Sequence, residues 1–313
     1  MKLPVPFIKL PIQFDVEKLR ADLEAISDDA WRGHNTGFAG NTACLLVTPY
    51  DGDPEGFFGQ LEPTADLKGA AYFQTVLKSF QTVVGRTRLM RLSPGAAVPR
   101  HTDVNYYWRH RIRVHVPIQT QPEVLFTSGK DSIHMAAGEA WVFDNWRQHT
   151  VENGSTQDRI HLVFDTVGTA AFWRLVSGDA SVANGQSNWP LLFESTSRAS
   201  LLSHYAVDQE MQFLNSEMTP ADQKPETLQT FQQAQRILHD FTKEWRALSL
   251  MRDPVFYART GHGPLLQEFT GIVRQLPDGH VHCSNGTSLV STLMNYLEAL
   301  GDALDAQSKA AAA

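Results

Sequence analysis

The chain has 313 residues, 42% hydrophobic and 19% charged, with a formal net charge of -7 and two cysteines. That length and balance suit one large globular domain or two modest ones with a sizeable core. The acidic balance excludes a generic nucleic-acid binder, which needs a basic footprint; Cys44 and Cys283, far apart in sequence, exclude a disulfide framework and fit a reducing, cytoplasmic setting.

The first nineteen residues carry three lysines and three prolines but no sustained apolar run, so no signal peptide is expected. No stretch approaches the roughly 18 apolar residues of a membrane span, so no membrane partner is expected. Residues 1–40 read as an extended piece, Phe7 to Phe14, then an amphipathic helix, Val16 to Ile26, ending in the polar Ser27-Asp28-Asp29. Residues 41–169 are strand-rich. Strands are expected from Ala43 to Thr48, Arg86 to Ser93, Arg111 to Gln119 and Val124 to Thr127. Further strands are expected from Ser132 to Met135, Ala140 to Asp144, Thr150 to Glu152 and Arg159 to Thr166, with one helix from Ala71 to Val84. Turns such as Ser93-Pro94-Gly95 and Ser128-Gly129-Lys130 separate several of them. Short strands at such spacing predict an antiparallel sandwich or barrel, and a double-sheet jelly roll fits best. Residues 170–313 turn helical: Leu201 to Leu214, Pro225 to Leu248, Leu265 to Leu276 and Ser288 to Leu304. Helices that follow rather than alternate with strands predict a mainly β core with an appended α region.

In extended backbone His101 and Asp103 point the same way while Thr102 turns aside. With His149 brought in from another strand, two imidazoles and one carboxylate could hold a ferrous ion and leave positions open, as non-haem iron oxygenases require. His101, Asp103 and His149 are therefore the candidate metal ligands and catalytic residues. In the next strands Arg111, Arg113 and His115 share one face, and Arg159, His161, Val163 and Asp165 share another. A surface strand could alternate in this way, with its polar side in water. Arginine and histidine on both polar faces, one of them starting ten residues after His149, favour instead a basic lumen suited to anion capture.

The stretches RLMRLSPG, PRHTD, RIRVHVPI, IHMAAGEAWVFD, QH and DRIHLVFDTVG, within Arg86 to Gly168, resemble the aspartyl/asparaginyl β-hydroxylase family of iron(II)- and 2-oxoglutarate-dependent dioxygenases. The resemblance is nearest its bacterial proline cis-hydroxylase branch. It implies a double-stranded β-helix core (jelly roll, cupin-like) and hydroxylation of an unactivated C–H bond with O2, giving succinate and CO2 as co-products. By this similarity His101, Asp103 and His149 match the iron ligands, and Arg159 matches the arginine that pairs with the distal carboxylate of 2-oxoglutarate. His115 matches the histidine near the other carboxylate, and Arg113 an arginine that some members use on the substrate carboxylate. A serine contact of some members falls on Met90, which leaves the flanking Arg88 and Arg91 to take over. Members acting on protein side chains often carry glycine where this chain has Asp103, which points to the small-molecule branch and to hydroxylation over halogenation.

The expected substrate is a free amino acid or small carboxylate-bearing derivative. The same chemistry on a peptide or carrier-bound residue, and a non-catalytic cupin-like binding protein, remain alternatives. Tyr106, Tyr107 and Trp108 read equally as an aromatic lid over substrate or as a packed loop, with Tyr107 and Trp108 candidate substrate contacts. Trp141 and Phe143, on one face with Glu139, read as core packing, and His134 as sheet surface. His280, His282 and Cys283 read as a solvated turn, because no fourth metal ligand lies near them. Oligomeric state stays open.

Overall fold

Alternating, turn-punctuated segments build antiparallel sheets over the first two-thirds of the chain. The structure, a computed structural model, describes residues 1–33, 37–184, 189–251 and 261–312. It divides into two compact units, Met1–Asp103 with Tyr107–Thr196, and Val104–Tyr106 with Ser197–Ala313.

In the first unit the order is β1 (Phe7–Gln13), α1 (Val16–Glu24), β2 (Trp31–Gly33), β3 (Asn41–Pro49), β4 (Gly59–Pro63), α2 (Ala65–Gly69), α3 (Ala71–Ser79), β5 (Val83–Val84), β6 (Thr87–Leu92) and β7 (Ala97–His101). Then come β8 (Ile112–Gln119), β9 (Val124–Ser128), β10 (Asp131–Ile133), β11 (Glu139–Phe143), β12 (His149–Asn153), β13 (Arg159–Thr166), α4 (Ala170–Val176), α5 (Ala180–Asn184), β14 (Leu192–Phe193) and β15 (Ser195–Thr196). The large sheet runs β1-β11-β8-β13-β6-β3-β4-β15, with β2 added to β3; a smaller sheet runs β10-β9-β12-β7. Together they form the jelly-roll core that the strand pattern predicts, a double-stranded β-helix.

Period-two alternation sorts the large sheet into two faces. Ile112, Val114, Val116 and Ile118 of β8 join Ile160, Leu162 and Phe164 of β13 in one apolar cluster with Leu19 of α1, Phe73 and Leu77 of α3, and Phe172 of α4. Each such side chain, fully buried, contributes roughly 1.5–3 kcal/mol. The opposite face carries the polar residues, and Phe126, Phe143 and Val151 pack beside it in a second cluster. The central strand β13 is buried at all eight positions. Helix α1 starts where the Asp15 carboxylate accepts from the backbone N–H groups of Glu17 and Lys18.

The helix expected through Val84 stops at Ser79. Gln81 adopts a left-handed backbone (φ 49°), and the β-branched Val83 and Val84 shortly after it pair as a strand with Leu192 and Phe193. Strands β2, β4, β5, β7, β14 and β15 lay outside the expected set. β7 contains Pro99 and lacks clean alternation, which an edge strand tolerates.

The second unit holds α6 (His204–Glu217), β16 (Met218–Pro220), α7 (Pro225–Ser249), α8 (His262–Gln275), β17 (Val281–Cys283) and α9 (Leu289–Ala312). Its helices fall where the helical pattern puts them. Pro225, needing no N–H partner at a helix start, opens α7. Phe241 of α7 stacks on Phe269 of α8 at 3.9 Å between ring centroids. No described helix is long and apolar enough to cross a membrane.

Candidate metal centre and its cavity

His101 ends β7 and His149 opens β12, and the two are direct partners across that antiparallel pair. Their ring centroids lie 4.3 Å apart. Asp103 follows two residues after His101, its backbone N–H donating to the carbonyl of Asn145 at 3.2 Å. One ligand atom from each of His101, Asp103 and His149 lies within 4.8 Å of the other two, and among the described residues no other such group of three is found. Both imidazoles are oriented alike. Nδ1 of His101 is 2.8 Å from the carbonyl of Pro99, and Nδ1 of His149 is 2.9 Å from the carbonyl of Arg147. A ring whose Nδ1–H donates to a backbone carbonyl presents the Nε2 lone pair, the arrangement that orients metal-binding histidines. Asp103 is pushed up by burial, but Arg113, with Nη1 3.4 Å from Oδ2, and the two histidines outweigh this and hold it below the usual carboxylate range. The donor set, two imidazoles and a carboxylate on one side, fits a ferrous ion with open positions.

The triad lines a cavity of about 210 Å³ between the sheets. Arg86, Arg88 and Met90 of the β6 region, Arg113 and His115 of β8, and Arg159 of β13 line it, so the lumen is basic as the strand faces predict. Arg159 is 5% exposed, and burial alone pulls its pKa down to about 9, with no carboxylate opposing the shift. Its Nε has no hydrogen-bond partner among the described residues. Arg113 lies between two acids, with Nε 3.2 Å from Asp165 Oδ1 and Nη1 near Asp103, and its guanidinium covers the Trp108 ring at 4.0 Å. Arg88 is pulled down to about 9 by burial and by Arg86 and Arg113, partly offset by Glu55 and Asp165. One oxygen of Glu55 meets both Arg86 (2.8 Å) and Arg88 (3.3 Å).

Two expected contacts, Arg91 and Tyr107, lie elsewhere, and so does Arg111 of the expected lumen face. Arg91 falls on the opposite face of β6 from Arg88, a consequence of period-two alternation; it covers the Trp31 ring at 4.1 Å and donates to Thr42 Oγ1. Tyr107 is 1% exposed and does not line the cavity; its ring packs against Phe57 and under Arg111. Arg111 leaves the lumen face just ahead of β8, where Glu194 takes its guanidinium at 2.7 Å. Trp108 does line the cavity. Phe143, expected in the core, is both core and cavity wall, edge-on to His149 at 4.9 Å. Trp141 is half-buried, with Nε1 donating to Glu139. Nor do His282 and Cys283 sit in a solvated turn. Both belong to β17, which pairs with β16, and Cys283 is 2% exposed.

Sequence reasoning missed Arg86, Glu55 and Phe57. Arg86 was within reach, since it shares a face with Arg88 and Met90; the other two sit in a loop without periodicity.

Burial sets a pH dependence. His149 is pulled down to about 4 by burial, with Asp103 opposing and His101 assisting, and burial with Arg159 puts His115 and His161 well below the ordinary 6.5. The unfolded chain takes up these protons first, so stability is complete above 6.5 and is lost as pH falls from there toward 4. His149 alone accounts for a loss on the order of 3 kcal/mol. Thermal unfolding of the metal-free protein should show a melting temperature that falls steadily across this window. A flat profile would mean that these rings are not held neutral by the fold.

Residues 61–168, about a third of the chain, match the family described as Aspartyl/Asparaginyl beta-hydroxylase. Among solved structures, an oxidoreductase of the 2OG-Fe(II) oxygenase family from Burkholderia pseudomallei is 13% identical, over 52% of this chain and 85% of its own, with a TM-score of 0.39. A Pseudomonas putida prolyl-4-hydroxylase is 12% identical, over 52% of this chain and 92% of its own, with a TM-score of 0.36. A cupin domain from Bordetella pertussis is 19% identical, over 26% of this chain and 79% of its own, with a TM-score of 0.22. Structural likenesses at these scores carry no argument about chemistry, which has to come from the site.

Proposed function

Because residues 61–168 match the aspartyl/asparaginyl β-hydroxylase family, we propose that this chain is an iron(II)- and 2-oxoglutarate-dependent hydroxylase of a free amino acid or small carboxylate-bearing derivative. The observation that carries the reading is Arg159, a buried guanidinium with no acid beside it among the described residues, in the same cavity as the His101, Asp103 and His149 triad. A buried cation without a counter-ion is costly, and an anionic ligand would offset that cost.

His101, Asp103 and His149 would hold the iron. Bound iron supplies O2 activation coupled to oxidative decarboxylation of 2-oxoglutarate to succinate and CO2, and with it the power to hydroxylate an unactivated C–H bond. Arg159 receives the distal carboxylate of 2-oxoglutarate, with His115 beside it. Phe126 and Phe143 wall this end against water. Arg113, shared between Asp103 and Asp165, holds the metal carboxylate in place, so its charge is largely spent there. Arg88, which shares the Glu55 carboxylate with Arg86 and is repelled by Arg86 and Arg113, keeps more charge for the substrate carboxylate, and Trp108 forms an adjoining wall. A cavity of about 210 Å³ lies below the ~300–1,000 Å³ of ordinary ligand pockets, which favours a small substrate over a peptide.

The test is to load the protein with iron(II) without oxygen, then add O2, 2-oxoglutarate and a panel of free amino acids and short peptides. Succinate formed together with a one-oxygen mass gain in a free amino acid is the expected result. Coupled product from peptides only would move the assignment to a chain-bound residue. Iron binding without succinate under any condition would leave a binding protein.

A further inference from the structure

Buried guanidinium groups ordinarily lie against carboxylates. The acceptors around Arg159 are imidazoles. Its Nη2 lies 2.9 Å from Nδ1 of His161 and 3.5 Å from Nδ1 of His115, and those two Nδ1 atoms are 3.3 Å apart. Arg159 and His161 stand two residues apart on β13 and so share a face. His115 comes from the neighbouring β8, opposite Val163.

A guanidinium only donates. Nδ1 of His161 therefore accepts from Arg159, and the proton of that imidazole sits on Nε2. The ring is 2% exposed, held beside a small hollow that Thr120, Phe126 and Met135 also line. It cannot swing away without disturbing that packing.

We propose that His161 is the positioning residue for the co-substrate arginine: it accepts one N–H of Arg159 at Nδ1 and fixes the guanidinium plane, yet takes none of its charge. A carboxylate at this place would hold the plane equally well and neutralise it, leaving little attraction for an incoming carboxylate. A neutral acceptor orients the cation and keeps its full charge for the ligand. Burial and Arg159 both hold His161 in the neutral form. The inference rests on the reading of Arg159 as the anchor for 2-oxoglutarate.

Three variants separate orientation from charge: His161→Phe keeps a ring without an acceptor, His161→Asn keeps a neutral acceptor near the place of Nδ1, and His161→Asp is the anionic isostere of the asparagine. Binding of 2-oxoglutarate to the full-length, manganese(II)-loaded protein is measured by calorimetry, where no turnover occurs. Expected is a loss of about tenfold for His161→Phe, the scale on which outer partners of a site act. His161→Asn restores most of the affinity, and His161→Asp binds more weakly than His161→Asn. In turnover with iron, the KM for 2-oxoglutarate rises in the phenylalanine variant while kcat at saturating 2-oxoglutarate stays at the wild-type value.

Equal binding by His161→Phe and wild type overturns the proposal, as does equal binding by the asparagine and aspartate variants. Should His161→Phe fail to fold, the asparagine–aspartate pair still decides. A wild-type protein that binds manganese but not 2-oxoglutarate removes the anchor reading of Arg159, and this role for His161 falls with it.

Discussion

His149→Ala is expected to weaken iron(II) binding by at least about a hundredfold, since even outer partners of metal ligands cost 10–100-fold, and to reduce succinate formation to background. His149 is 3% exposed, and its Nδ1 is tied to the carbonyl of Arg147. Its removal leaves one imidazole and one carboxylate, too few to keep a ferrous ion against water. The imidazole also packs between Phe126 and Phe143, so alanine leaves a hollow there. The destabilisation should stay below the roughly 3–5 kcal/mol of a buried Phe→Ala change, and the variant should remain folded. Anaerobic iron titration with circular dichroism on the same sample separates the two effects. Full iron affinity and turnover in a folded variant would end the assignment of the triad as the metal centre.

Arg159→Ala should act on the co-substrate and leave the metal alone. Removing one partner of a buried charge pair costs about 2–5 kcal/mol, which corresponds to a rise of roughly thirtyfold or more in the 2-oxoglutarate requirement. The fold should not suffer. In the free protein the guanidinium has no acid beside it among the described residues and is pulled down to about 9 by burial, so alanine removes a desolvated cation. The melting temperature should hold or rise, the usual relation between a site and the stability it costs. If the affinity for the prime substrate changed instead, the two carboxylate pockets would have been exchanged.

Much of the site could be read from local pattern. Arg159 to Thr166 alternates so regularly that the expected strand and β13 share both ends. His101 and Asp103 stand out because two residues of extended chain bring both to one side. The rest depends on pairing that a one-dimensional reading lacks. Arg88 and Arg91 look alike as neighbours of Met90, and only the face of β6 separates the cavity-lining residue from the one covering Trp31. His161 was visibly on the face of Arg159, but its role needs the register that brings His115 across from β8. Glu55 and Phe57 come from Asp51-Gly52-Asp53-Pro54-Glu55-Gly56-Phe57, where no period exists to place a side chain. Arg111 sits one residue before β8 begins, and that offset is enough to send it to Glu194.

β7 is the outermost strand of the smaller sheet, largely exposed, and its ladder with β12 is irregular just past the His101–His149 rung. Edge strands of this kind are where sheets fray, slip in register or recruit foreign strands. An ion shared by His101 and His149 would act as a rivet through that rung: a one-residue slip would turn a ligand away and forfeit the metal. Iron occupancy and the register of the sheet margin would then be a single property, so that the metal would fix the strand as well as complete the site.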